Sequence, residues 1–166
     1  MLILSRIVSG GQTGVDRAAL DVALEWGVPC GGWCPPGRAA EEGLIPLRYP
    51  LSETPENTST IAPDVPNSQR TEWNVRDADG TLVLTRGNCD RGTALTMSFA
   101  ARQGKPLIHV NLEHQPLTAE PVCRWMEEHR VRVLNVAGPR ESIMPGIHAA
   151  AAAFLRELFK ALKEEA

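Results

Sequence analysis

Residues Ile3 to Ser9 read as a short buried strand that Gly10-Gly11 cuts off, and from Val15 onward the apolar residues recur at helical spacing. Val15, Ala18, Ala19, Val22, Ala23 and Trp26 share one face, Gly27 stops the helix, and Val28 to Gly32 reads as a second short strand. A strand–helix–strand unit of this kind constrains the chain more than any other feature, because such a crossover joins parallel strands and lays its helix on the sheet.

The alternation continues. Thr81 to Leu84 reads as a strand, about Arg91 to Gln103 as a helix, Pro106 to Val110 as a strand, about Thr118 to His129 as a helix and Val131 to Ala137 as a fifth strand. A last helix is expected to start near Pro145, with Ile147, Ala151, Phe154, Leu155, Leu158 and Leu162 as its buried stripe. Strands that are apolar throughout, rather than at every second residue, belong to a parallel sheet covered on both faces. The expected fold class is therefore α/β: a Rossmann-like doubly wound, mostly parallel sheet flanked by helices, in a single ligand-binding domain over residues 1–166. One stretch breaks the pattern. Pro46 to Gln69 holds Pro46, Pro50, Pro55, Pro63 and Pro66 among polar residues and reads as a flexible surface flap. A short helix from Arg70 to Asp77 follows, ending at the Asp79-Gly80 turn.

Composition narrows the function. A chain of 166 residues carries a core large enough to need no disulfide staple. Seventeen Lys and Arg against 20 Asp and Glu give a net charge of −3, which disfavours binding to extended nucleic acid. No apolar run reaches the roughly 18 residues of a membrane span, and Met1 to Leu4 lacks a basic leader, so a cytoplasmic protein with no membrane partner is expected. Cys30, Cys34, Cys89 and Cys123 form no CxxC pair and no His stands at close ligand spacing to them; no metal site is expected, and a thiol role stays open only for Cys34 and Cys89.

In an open parallel sheet, ligands bind beyond the carboxyl ends of the strands. After the first strand comes Gly10-Gly11-Gln12-Thr13-Gly14, in which glycines and a helix start suit a phosphate. It is neither a P-loop nor a GxGxxG fingerprint, and a tight turn with nothing bound is its plainer reading. Asp16, in the first helical turn, reads as a residue that favours the helix dipole. After the third strand, Thr85-Arg86-Gly87 leads to Arg91-Gly92-Thr93 at another helix start; after the fifth, Gly138-Pro139-Arg140-Glu141-Ser142 makes a third candidate anion turn. Trp33 offers a surface for a flat heterocycle and Arg38 a cation for its anion. The candidate ligand residues are thus Gly10, Gly11, Gln12, Thr13, Gly14, Trp33, Arg38, Thr85, Arg86, Gly87, Gly92, Thr93 and Gly138, with no catalytic triad in view.

The segments GGQTGVDRAALD, GGWCPPGRAAEEG, RTEWNVRDADGTLVLTRG, RGTALT and LNVAGPRES, in that order, resemble the molybdenum cofactor carrier family of the Rossmann-like SLOG superfamily. That superfamily also holds the lysine-decarboxylase-like phosphoribohydrolases. The resemblance covers nearly the whole chain except the flap and Leu112 to Glu128. It implies a ligand lying against Gly10 to Gly14 and Gly92-Thr93, the molybdenum cofactor (molybdopterin) as candidate cargo, and a homo-oligomer. The hydrolase relatives carry PGGxGTxxE; here Thr96 stands where their glutamate would be, which removes the proton carrier of phosphoribose hydrolysis.

The leading expectation is a non-catalytic carrier for a small anionic ligand with a phosphate and a flat heterocycle, either molybdopterin or a nucleotide-like molecule. One alternative is an enzyme acting on a nucleotide or its ribosyl bond, with Asp16, Asp77 or Asp79 as the acid. Another is a nucleotide-derivative sensor whose flap is ordered by ligand for a protein partner.

Overall fold

The computed structural model describes residues 4–56, 59, 61–63 and 67–164. Its main sheet has five parallel strands, β1 (Arg6–Val8), β2 (Cys30–Gly31), β3 (Gly80–Thr85), β4 (Leu107–Asn111) and β5 (Val133–Ala137). Five helices accompany them: α1 (Val15–Glu25), α2 (Gln69–Asp77), α3 (Arg91–Arg102), α4 (Glu120–Glu128) and α5 (Ile147–Glu164). This is the expected α/β layout, and the register follows from burial. Ile7 of β1 lies between Cys30 and Leu134, so the central strands present buried aliphatic side chains to the helices.

The strand order is β2-β1-β5-β3-β4. If β5 and α5 are counted first in place of last, the order becomes 3-2-1-4-5, the arrangement of a mononucleotide-binding half plus its continuation. The last strand in the chain is thus the central strand of the sheet, and the topological switch point lies between β5 and β3.

Helices α1, α4 and α5 cover one face through a continuous core that includes Val22, Met126, Leu155 and Leu158. Trp26 meets Phe159 edge-on with ring centroids 6.1 Å apart, tying α1 to α5 as its helical spacing implied. A second core of Val75, Phe99 and Ala100 joins α2 to α3. The last helix begins two residues after Pro145, at Ile147, because Gly146 at φ 85° interrupts the helical run and the Glu141 carboxylate takes the amides of Gly146 and His148 at 2.5 and 3.0 Å. The helix thus starts close to the expected Pro145.

The Pro-rich stretch divides in two. Ile45, Tyr49 and Leu51 pack with Leu20 and Cys34 in a third small core, and Ser52–Glu53 runs parallel to Trp33–Cys34. Ala39–Ala40 and Gly43–Leu44 form a short antiparallel pair beside it. Residues 57, 58, 60 and 64–66 of the expected flap, Pro66 among them, lie outside the described residues. Among those described, no helix is long and apolar enough to cross a membrane.

Candidate functional site

Beyond the carboxyl end of β5, where α5 and α3 leave for opposite faces of the sheet, lies a cavity of about 800 Å³. That is within the range of sites that hold small molecules and cofactors. Strand β5 contributes Asn135 to Ala137 and then Gly138; the β1 turn contributes Gly10 and Gln12; α3 contributes Arg91, Gly92 and Thr96. Helix α2 supplies Arg70 and Asn74, and the turn after β5 supplies Arg140. Gly10 permits a close approach: a Cβ there would lie 2.4 Å from Arg70 Nη1 and 2.7 Å from Asp16 Oδ2.

The three expected anion turns do not behave alike. At α1 the chain fills part of its own helix start, while the amides of Thr13, Gly14 and Asp16 carry no hydrogen bond among the described residues. The Gln12 amide donates to Asp16 Oδ2 at 3.3 Å, the Val15 amide donates to Pro139 O at 3.2 Å, and the Thr13 hydroxyl donates to Glu41 while accepting the Glu141 amide. At α5, Glu141 caps from within. The start of α3 is open in part as well. Asp90 caps the Thr93 amide at 3.1 Å and takes the Thr93 hydroxyl, while the amides of Arg91 and Gly92 carry no hydrogen bond among the described residues. Carboxylates thus take amides at all three expected turns, and open amides remain beside them at α1 and α3. The physical reason is that a carboxylate placed in or before the first turn satisfies the amides a phosphate would have used.

Arginine side chains supply the positive charge instead. Arg70 pairs with Asp16 across 3.7 Å, both largely buried, and its Nε is buried with no hydrogen-bond partner among the described residues. Burial pushes the Asp16 carboxyl up, against the opposing pull of Arg70, the Gln12 amide, Ser9 and Arg140, and burial pushes the Arg70 guanidinium down. Arg91 and Arg140 are exposed at the cavity, and no hydrogen bond or ion pair holds either guanidinium among the described residues. Asp16 and Asp90 are the cavity's acids, and both are engaged, one by Arg70 and one as the α3 cap. An anion entering here meets uncommitted cations.

Of the residues singled out from sequence, Gly10, Gln12, Gly92 and Gly138 line this cavity. Gly11, Thr13 and Gly14 shape the turn behind it. Thr93 is buried in the α3 cap. Trp33 is held elsewhere: its Nε1 donates to Asp77 Oδ2 at 2.7 Å, its ring stands edge-on to Trp73 at 4.8 Å, and Asn74 grips its backbone. Arg38 spends its guanidinium on the carbonyls of Ile45, Pro46, Tyr49 and Leu51, a structural clamp for the Pro-rich stretch. Thr85 meets His109 Nε2 at 2.7 Å, the Gly87 amide donates to Asn111, and the Arg86 amide contacts Met144 Sδ, all outside the cavity lining. The candidate acids part ways too. Asp79 accepts the amides of Arg132 and Val133, Asp77 is held by Arg76 and Trp33, and Asp16 alone reaches the cavity.

Arg70 is a cavity residue to which the sequence analysis gave no ligand role, and Arg91 and Arg140 entered it only as members of candidate anion turns. A signal existed for two of them. Arg70 and Arg91 sit in the first turns of α2 and α3, where the helix dipole disfavours a cation and an added negative charge would restore balance.

The switch-point cavity and the permuted strand order point the same way as comparison with known proteins. Residues 7–159 match the model of the circularly permutated YpsA SLOG family. The chain belongs to that family. A crystal structure described as "Putative molybdenum carrier protein" from Syntrophus aciditrophicus SB is similar to this SLOG protein, with 41% identity, 95% of this chain and 96% of that chain covered, and a TM-score of 0.86. No match was found among curated proteins.

Proposed function

We propose that this protein is a binding or carrier protein for a phosphate-bearing, flat heterocyclic ligand, with the molybdenum cofactor as the foremost candidate. One observation carries the reading: the free guanidiniums of Arg91 and Arg140, the buried unpartnered Nε of Arg70 and the open amides of α3 all border one cavity at the topological switch point. The molybdenum carrier name of the similar Syntrophus protein supports the choice of candidate. The donor set fits the organic, anionic part of such a ligand. No group of three His, Cys, Asp or Glu that could hold a metal ion occurs among the described residues, so recognition falls on the phosphate and the ring system.

The test is anaerobic purification followed by pterin fluorescence and molybdenum analysis of the protein, with titrations of the cofactor and of nucleotides. Binding tighter than millimolar is expected. Replacing Arg91 or Arg140 by alanine should weaken it about tenfold each, the equivalent of roughly 1.4 kcal/mol for one charge-assisted hydrogen bond. The melting temperature should barely change, since neither guanidinium is engaged in the fold. Affinity untouched by both substitutions, or no binding of any of these ligands below millimolar, would refute the assignment.

A further inference from the structure

Outside the cavity lining, at the β4 edge of the sheet, three side chains from three segments meet at one ring nitrogen. Thr85 ends β3, His109 stands in β4, and Cys89 lies in the loop between β3 and α3. The Thr85 hydroxyl is 2.7 Å from His109 Nε2, and Cys89 Sγ is 4.0 Å from the same nitrogen. Strand register sets this up. His109 pairs with Val83, and Thr85, two residues further along β3, presents its side chain on the same face.

The sequence left a thiol role open for Cys34 and Cys89, and the fold separates the two. Cys34 is buried and burial pushes its thiol up; Cys30 is half-buried with its thiol pushed up as well; Cys123 is buried. Cys89 alone is exposed, and it is the one with an imidazole beside its sulfur. That imidazole is equipped to take a proton. Partial burial, and after it the field of His114, push His109 below its ordinary value of 6.5, so the ring is neutral at pH 7. A hydroxyl has one hydrogen to give and lone pairs with which to accept. Thr85 Oγ1 has two acceptors in reach, Nε2 at 2.7 Å and Gly87 O at 3.3 Å. Donating to Nε2 suits a ring whose Nε2 is bare. Donating to Gly87 O while accepting from Nε2–H suits a ring that has gained a proton there. The hydroxyl therefore serves the imidazole before and after a proton transfer.

We propose that Cys89 and His109 form a thiol–disulfide exchange site, at which the protein takes up a low-molecular-weight disulfide as a mixed disulfide. The Sγ proton passes to His109 Nε2, and the thiolate attacks one sulfur of the incoming R–S–S–R. The Cys89 Sγ–S bond forms as the reagent's S–S bond breaks. The departing R–S⁻ takes the proton from Nε2 and leaves as the thiol, so the Cys89 sulfur is oxidised, the leaving sulfur is reduced and the ring returns to its neutral form. This site stands independently of what the larger cavity binds.

Glutathione disulfide is the probe, with mass spectrometry of the intact protein and of its peptides as the readout. One glutathionyl group should appear first, on Cys89. An unassisted thiol with a pKa of about 8.5 is only about 3% ionised at pH 7, so a proton-accepting partner raises its rate by at most roughly thirtyfold. Cys89 in the folded protein should react at least about fivefold faster at pH 7 than the same thiol in a peptide spanning Arg86 to Thr93, which keeps the local sequence and lacks His109. His109→Gln should remove that advantage at pH 7, yet react within about twofold of the parent protein above about pH 9, where solvent takes the thiol proton unaided. Equal rates for the folded protein and the peptide overturn the proposal whether or not the variant folds. So does first modification at Cys30, Cys34 or Cys123. A His109→Gln protein as fast as its parent at pH 7 does the same, and one slowed equally at both pH values reduces the imidazole to a structural support and removes the exchange site with it.

Discussion

Gly14 sits at the start of α1 with φ 82°, and a Cβ placed there would lie 2.3 Å from Pro139 O and 2.8 Å from the Glu141 amide. Both neighbours are backbone and cannot swing aside. Gly14→Ala should therefore cost about 3 kcal/mol or more, combining left-handed strain with a forced shift of the turn after β5. Gly27 supplies the comparison: its φ is 66° but nothing lies within 4 Å of its would-be Cβ, so Gly27→Ala should cost only about 1 kcal/mol. Denaturant midpoints of the two variants measure the difference, and equal losses would show that the Gly14 contact is not what matters. The same two neighbours explain why the first glycine turn is a hinge of the fold before it is a cradle for a ligand. Glycine at a helix start is visible in a sequence. Whether its amides face a phosphate, a carbonyl or a carboxylate depends on Pro139, more than a hundred residues away.

Among the elements, α1 and α5 are joined by a polar cluster whose residues are not part of the cavity lining. His148 Nε2 lies 2.9 Å from Asp21 Oδ2, the Tyr49 hydroxyl donates to Asp21 Oδ1 at 2.7 Å, and Arg48 reaches the same oxygen at 3.2 Å. Burial pushes the Asp21 carboxyl up, and the hydrogen bonds from His148, Tyr49 and Arg48 outweigh it, holding the group below its ordinary value of 3.8. The sign follows from linkage: a carboxyl depressed in the folded state contributes stability above its unfolded pKa, and that contribution disappears as pH falls through the depressed value. Asp21→Asn should thus lower stability at pH 7 by about 1 kcal/mol, discounted for partial exposure, and flatten the acid limb of the profile below about pH 4. Urea unfolding between pH 2 and 7 checks this; an acid limb as steep as that of the parent protein would assign the loss to other carboxylates. Helix α1 was legible from its apolar spacing and Gly27, and α5 from its stripe, because those signals are local. The clamp on Ile45 to Leu51 was not. Arg38, Asp21 and the Pro-rich stretch meet only after β2 has joined the sheet, and proline content describes the stretch without saying what holds it.

For the whole molecule, the strand order has a direct consequence. Helix α5 starts beyond the carboxyl end of β5 and runs back beside α1, so it returns toward the edge of the sheet at which β1 begins. Joining the end of α5 to the start of β1 by a short flexible linker, and opening the chain at Arg130 between α4 and β5, makes β5 the first strand in sequence, so that the spatial order reads 3-2-1-4-5 in the permutant's own numbering. This permutant should fold with a melting temperature within several degrees of the parent, because every strand pair and helix contact is retained and only the loop closure changes. It should also keep ligand affinity. Loss of cooperative unfolding in the permutant would show that the native connection between α4 and β5 does more than link them.

Local patterning by itself determined the number and kind of the main elements, the parallel sheet and the edge of that sheet at which a ligand would be met. Period, glycine punctuation and uniform apolarity are properties of consecutive residues, and hydrophobic burial reads them directly. Tertiary structure decided which residues at that edge remain free. Asp16 and Glu141 take amides at two helix starts, Arg38 and Trp33 are consumed by packing, and Arg70, Arg91 and Arg140 come together from three separate segments. A charged group's role depends on whether a partner already satisfies it, and these partners are brought within reach only by the folded chain.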